Sequence, residues 1–206
     1  MSIYTFNNKV LKYNNKLLVG GEPGPVIPYV QIGTQIWATS NLKYDDGGDG
    51  IAIKYDVTSE GVNFGTQYYY TWDAATRIVN NIEGWRIPTL TDFDVLKAYL
   101  ESLGYNTTAP LRSVSGWKEW FGHGEVVPGT DIFGLNVEPV GSIRSSNPED
   151  NLTALGQESM LRVDSNSPGN YCNFMYGSSG VQNFTNWTYY WGMPNAYIAV
   201  RLIKEN

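Results

Sequence analysis

The sequence predicts a mixed α+β fold, rich in strands and loops, behind a short β-type N-terminal appendage. Three observations lead there. Glycine is abundant, with 22 residues, aromatics make up 14% of the chain and charged residues only 17%, a balance that suits β structure and loops better than a helical bundle. Two stretches carry helical spacing. Elsewhere short apolar runs alternate with polar residues between Gly, Pro, Asn and Ser. At 206 residues the chain is long enough to bury a core as one large domain with a small addition.

The elements follow in order. Residues 1–28 form the appendage. In "IYTFNNKVLKYNNKLLVGG", Tyr4–Phe6, Val10–Tyr13 and Leu17–Val19 read as short strands of a meander turned at the Asn-Asn pairs. "GGEPGPVIP" (20–28) then breaks regular structure and reads as a linker. A piece this short cannot stabilise itself by burial alone. It is either an attachment or oligomerisation end, or a terminal strand laid onto the main domain, 29–206. There "YVQIGTQIWAT" reads as a hairpin around Gly33, and "YDDGGDG" as a loop. "YYYTWDAATRIVNN" runs from an extended stretch into a helix, with Ala74, Ala75, Ile78 and Val79 on one side. In "GWRIPTLTDFDVLKAYLESLG" Pro88 ends an extended segment. Thr89 or Thr91 caps the helix behind it, with Asp92 and Asp94 in its first turn. Phe93, Leu96, Leu100 and Leu103 form its apolar face and Gly104 closes it. "NAYIAVRLIKE" alternates as a terminal strand. Trp37, Trp72 and Trp85 are each expected in the core.

Several function classes are disfavoured early. A net charge of −6 without a Lys/Arg run argues against a nucleic-acid surface. Cys172 is the sole cysteine and His123 the sole histidine, which leaves no internal disulfide, thiolate cluster or paired-histidine site. His123 lies in "FGHGEV", a glycine-flanked turn, and no nucleophile elbow accompanies it. "DDGGDGIAIKYD" puts Asp45, Asp49, Gly50 and Asp56 at positions 1, 5, 6 and 12 of a calcium loop, but Gly47 at position 3 and an aspartate at position 12 depart from the ligand set. Those aspartates are the metal candidates, and the expectation is of no cofactor. The opening residues read as neither a secretory signal nor a lipoprotein anchor, and no run approaches the ~18 apolar residues of a membrane span.

Five ordered blocks carry a resemblance. They are "IGTQIWATSNL" (32–42), "YYYTWDAAT" (68–76), "GWRIPTLTDFDVL" (84–96), "GTDIFGLNVEPVGS" (129–142) and "YIAVRLI" (197–203). In this order they resemble the bacterial domains first noted as a major paralogous family in Fibrobacter, over about residues 30–206. The resemblance implies a C-type-lectin-like fold: two helices, a small antiparallel sheet core and long loops. It also implies kinship with formylglycine-generating enzymes and with the variable proteins of diversity-generating retroelements. The oxidase activity does not carry over, since it uses a cysteine pair. Nor does calcium-dependent sugar binding, because "EPV" (138–140) is the nearest string to the usual motifs. Members on cell surfaces often have several cysteines and an export signal, so a phage particle is the expected setting here, with cell-surface or cytoplasmic placement as alternatives.

The functional expectation rests on residues 169–192, "GNYCNFMYGSSGVQNFTNWTYYWG", which hold eight aromatic side chains and no Asp, Glu, Lys or Arg. In retroelement-diversified relatives the variable residues occupy this place, just before the last strand. Tyr and Trp give contact area for few rotatable bonds, while Ser, Gly and Asn adapt their hydrogen bonds. The expected contact face is Tyr171, Asn173, Tyr176, Asn183, Thr185, Trp187, Tyr189, Trp191 and Asn195, with the odd positions 183–191 on one side of a strand. Its partner would be a bacterial surface protein or glycan, bound without catalysis, with virion or surface-assembly proteins at residues 1–28. The rival readings are a decoration or oligomer subunit whose aromatic stretch joins copies, a buried strand edge, and a formylglycine-generating-like oxidase.

Overall fold

A computed structural model describes residues 25–48, 54–118, 129–143, 152–164 and 196–205. It also describes the backbone of Ile53 and of short strands at 5–6, 9–10, 12–13, 16–17, 171–175 and 187–190. Near the N-terminus, β1 (Thr5–Phe6) pairs with β2 (Lys9–Val10), and β3 (Lys12–Tyr13) with β4 (Lys16–Leu17), both antiparallel. The expected three-strand meander is therefore two small hairpins. The expected strand Val10–Tyr13 is divided between them.

The main domain opens with the hairpin β5 (Tyr29–Ile32) and β6 (Gln35–Ala38). Its turn needs glycine for two reasons: Gly33 has φ +60°, and a Cβ there would lie 3.0 Å from the Tyr99 ring. The longest pairing is β7 (Ile53–Ser59) with β8 (Val62–Tyr69), antiparallel and turned at Glu60 and Gly61, both with positive φ. Lys54, Asp56 and Thr58 are exposed while Val57 and Ser59 are buried. Asp56 thus sits in a strand, not at the end of a calcium loop.

Helix α1 (Trp72–Val79) starts at Thr71, whose side chain accepts from the Ala74 amide, and buries Ala74, Ala75, Ile78 and Val79 as the spacing predicts. The short β9 (Trp85–Arg86) leads into α2 (Leu90–Ser102). Thr89 is the cap: its Oγ1 accepts from the Asp92 amide at 3.2 Å, and Asp92 accepts from the Thr89 amide at 2.7 Å, a reciprocal capping box. Phe93, Leu96 and Leu100 are buried, but Leu103 is 50% exposed. By Leu103 the backbone has left the helix (φ −93°, ψ 4°), so helical spacing no longer sets its direction. Trp37 is fully buried, whereas Trp72 and Trp85 are only half-buried; Trp117, absent from the expected core, is buried instead.

Two helices and small antiparallel sheets surround two main cores among the described residues. Phe93, Leu96 and Leu100 of α2 pack with Ile32, Trp37, Leu111, Trp117, Leu135 and Val137. The buried face of α1 packs with Ala38, Leu42, Tyr70 and Ile87. Residues 196–203 run between them. Ala199 and Ile203 enter the first core, Val200 and Leu202 the second. The alternation in "YIAVRLI" therefore sorts side chains between two cores, not between core and water. Only Ile203–Lys204 is a regular strand (β13), joining β6 to β9. Upstream the segment is held by single bridges from Tyr197 to Ile143, Ile198 to Tyr70 and Ala199 to Leu161. Among the described residues no helix is long and apolar enough to cross a membrane.

Candidate functional site

The aromatic stretch is tied to the domain by a three-stranded antiparallel ladder: β10 (Glu158–Arg162), β11 (Tyr171–Met175) and β12 (Trp187–Tyr190), in that order. Every residue of β10 is buried. Leu161 belongs to the α2 core, and Met160 packs with Ala196 and Ile198. Gly141 bridges Ser159, and a Cβ on Gly141 would lie 2.3 Å from the Thr153 carbonyl oxygen, so only glycine permits this approach.

Arg162 ends β10 as a fully buried guanidinium. It donates to the carbonyls of Tyr70 (2.8 Å) and Ala196 (2.7 Å), with Trp72 6.0 Å away. Burial lowers its pKa to about 10. A second buried guanidinium, Arg201, donates to Asn41 Oδ1 (3.0 Å) and to the carbonyls of Ala38 (3.2 Å), Leu135 and Asn136 (3.2 Å). Burial lowers its pKa, with Glu138 and Asp131 opposing. Arg201 stands in the block "YIAVRLI", but charged residues are almost never fully buried unless paired, and no residue pattern announces a pocket of backbone carbonyls.

The pairing places four of the nine expected contact residues. Tyr171 faces Tyr190 across the ladder, Cys172 faces Tyr189, Asn173 faces Thr188 and Phe174 faces Trp187. Directly opposed residues share a face, and neighbours along a strand take opposite ones. Trp187 and Tyr189 therefore share a face with Cys172 and Phe174. Tyr171 and Asn173 lie on the other, with Thr188 and Tyr190. Positions 171 and 173 of β11 thus take the side opposite to 187 and 189 of β12, because the antiparallel register reverses parity between the strands. Tyr176, Asn183, Thr185, Trp191 and Asn195 lie outside the described residues, as does His123.

The aspartates near residue 45 are engaged with cations. Asp45 pairs with Lys54 at 3.0 Å and accepts from the Gly47 amide at 2.9 Å. That amide and Lys54 hold its pKa below the usual value. Asp46 takes both a 2.9 Å and a 2.8 Å bond from Arg77, which brings its pKa to about 2. Asp56 accepts from the Thr66 hydroxyl at 2.6 Å, and Asp49 lies outside the described residues. Among the described residues no group of three or more His, Cys, Asp or Glu side chains is placed to hold a metal ion.

Crevices on the described surface include the following two. One of about 220 Å³ lies between Pro25–Pro28 and Ser40–Lys43, with Asn41 in its wall. The other, of about 320 Å³, lies between the last turn of α1, β9, Asp164 and Glu205.

No curated protein and no solved structure matches the chain. The model of one family, the Fibrobacter succinogenes major domain, matches residues 30–204. That span takes in both helices, the shared terminal segment and the aromatic ladder, and the chain belongs to the Fibrobacter succinogenes major domain family.

Proposed function

We propose that this chain is a non-enzymatic recognition protein with a C-type-lectin-like fold. It binds a bacterial surface protein or glycan through the uncharged aromatic strands β11 and β12 and the residues joining them. One observation carries the reading: among the described residues the aromatic strand β12 is the outermost of a ladder whose other end, β10, is buried along its whole length. A rigid root with an aromatic margin suits recognition, because ordered supports lower the entropic cost of binding. Rings serve protein hot spots and the C–H faces of sugars alike. The N-terminal hairpins, built from two-residue strands, are too small to hold themselves together and suit attachment to a virion or cell-surface assembly.

The register splits the test in two. Trp187→Ala with Tyr189→Ala removes rings from one face; Tyr171→Ala with Tyr190→Ala removes them from the other. Binding to whole bacterial cells and to a glycan array is measured for each. Loss with one pair and retention with the other identifies the contact face, while full binding by both sinks the proposal. A second reading draws on the same edge. Among the described residues β12 pairs only with β11, and an uncharged edge strand is a template for another chain. Light scattering separates the readings: a purified oligomer that dissociates when either ring pair is removed makes the ladder a subunit interface.

A further inference from the structure

The two faces of the aromatic strands differ in chemistry. Opposed residues share a face and neighbours along a strand alternate. One face of the β11–β12 pair therefore carries Tyr171, Tyr190, Asn173 and Thr188, and the other Cys172, Tyr189, Phe174 and Trp187. On the first, every residue holds a group that both donates and accepts hydrogen bonds: two phenols, an amide and a hydroxyl. On the second, only the Tyr189 phenol does so strongly. Cys172 is a weak partner, the Trp187 indole only donates, and Phe174 has no polar group. The pairing with β10 separates the faces further. Cys172 is opposite Leu161, which belongs to the α2 core, whereas Asn173 is opposite Met160, which belongs to the small cluster with Ala196 and Ile198. At β10 the Cys172 face thus continues the large core, and the Asn173 face has the thinner cover.

The strands bring no charge to the first face. Residues 169–192 hold no Asp, Glu, Lys or Arg. The β10 residue opposite Tyr171 is Arg162, whose buried guanidinium donates to the carbonyls of Tyr70 and Ala196. The one opposite Met175 is Glu158, which is fully buried and accepts from the Ser142 hydroxyl at 3.3 Å. Tyr171 and Tyr190 form one end of the face, Asn173 and Thr188 the other. Their positions mark the corners of a patch of about 5 by 7 Å, the footprint of one sugar ring. Protein hot spots favour Trp and Arg beside Tyr and seldom use Thr. Here arginine is absent from the stretch and the strand tryptophan lies on the opposite face. A saccharide offers C–H faces for aromatic rings and hydroxyls that, like these four side chains, both donate and accept.

We propose that the ligand is an uncharged saccharide held on the face of Tyr171, Asn173, Thr188 and Tyr190, an inference that rests on the recognition reading above. The phenol rings take its C–H face, and Asn173 and Thr188 bond its hydroxyls. The full chain, with its tyrosine rings isotope-labelled, is titrated with the methyl glycosides of glucose, galactose, mannose and N-acetylglucosamine, and with methyl glucuronide as the acidic match. At least one neutral glycoside should give saturable NMR shifts with a Kd on the order of 1 mM, as its few heavy atoms allow, and the glucuronide none. Asn173→Leu with Thr188→Val keeps the bulk of both side chains and should weaken that binding about tenfold or more, the equivalent of two lost hydrogen bonds. Tyr171→Phe with Tyr190→Phe, which keeps both rings, should weaken it in the same direction. Trp187→Leu, on the other face, should leave it unchanged. No saturation by any neutral glycoside, equal response to the glucuronide, or undiminished binding by the Asn173 and Thr188 variant would each overturn the proposal. Whole cells separate this failure from that of the recognition reading. Cells stripped with protease should still bind, and the effective glycoside should compete. Binding that disappears with protease and ignores the glycoside makes the partner a protein, which overturns the saccharide and leaves recognition standing.

Discussion

Residues 196–204 and residues 171–190 are neighbours in the chain, and both contribute strands to antiparallel sheets. The first carries a guanidinium yet is buried from Ala196 to Ile203 apart from a half-buried Tyr197. The second holds no charge, and its later strand forms the outer margin of a ladder. Charge alone therefore does not tell which stretch is inside. What decides is where backbone hydrogen bonds go. Residues 196–204 have backbone partners on several sides, and Arg201 fills a gap lined with carbonyls that would otherwise lack donors.

The sharpest test of that contrast is Arg201→Leu. It leaves Asn41 Oδ1 and the carbonyls of Ala38, Leu135 and Asn136 without this donor, and should cost about 4 kcal/mol or more, read as a lower urea midpoint. Leu100→Ala, in the core that Ala199 and Ile203 help close, should cost about 2–5 kcal/mol. Leu103→Ala, half-exposed one turn on, should stay within about 0.5 kcal/mol.

The acid limb gives a further measurement, with two groups of opposite sign. Burial alone would raise the Asp92 pKa, but Arg86 and Thr89 bring it below the usual 3.8. Its stabilising contribution is present above that value and is lost as pH falls through the folded value. Glu138 is raised above 4.5, chiefly by burial. Its carboxylate form therefore weakens the fold at neutral pH, and that penalty disappears as pH falls through the raised value. Asp92→Asn should flatten the loss of stability below about pH 4, and Glu138→Gln should remove the gain on the acid side of neutral; urea unfolding across pH reads both. The aromatic margin should also give a small stability effect. Trp187→Ala with Tyr189→Ala should shift the urea midpoint by the equivalent of about 1 kcal/mol or less, even where binding is lost. A core-sized loss instead would place those rings inside and erase the contrast between the two stretches.

Much of the architecture around these stretches was legible. Gly33 marked a hairpin, Ala74, Ala75, Ile78 and Val79 gave the buried side of α1, and the pair Thr89 or Thr91 bracketed the cap of α2, which is Thr89. Each is a local signal, set by residues within a turn of one another. The failures are non-local. "IKYDVTS" alternates clearly, but the aspartates before it drew Asp56 into a loop that the β7–β8 pairing rules out. Trp72 and Trp85 have the composition of core residues, yet their burial depends on what crosses above them. In the candidate site, side-chain periodicity assigned faces within one strand. It could not supply the register between β11 and β12, which puts Tyr171 and Asn173 opposite to Trp187 and Tyr189.

The placement of residues 196–203 also governs how the molecule can assemble during synthesis. Arg201 meets Ala38 and Asn41 across 163 and 160 positions of sequence, and both cores draw on this one stretch. A ribosome that has already delivered both helices has delivered neither finished half. Closing such distant contacts is slow, so the nascent protein waits with two open apolar surfaces until a late segment arrives to seal them together.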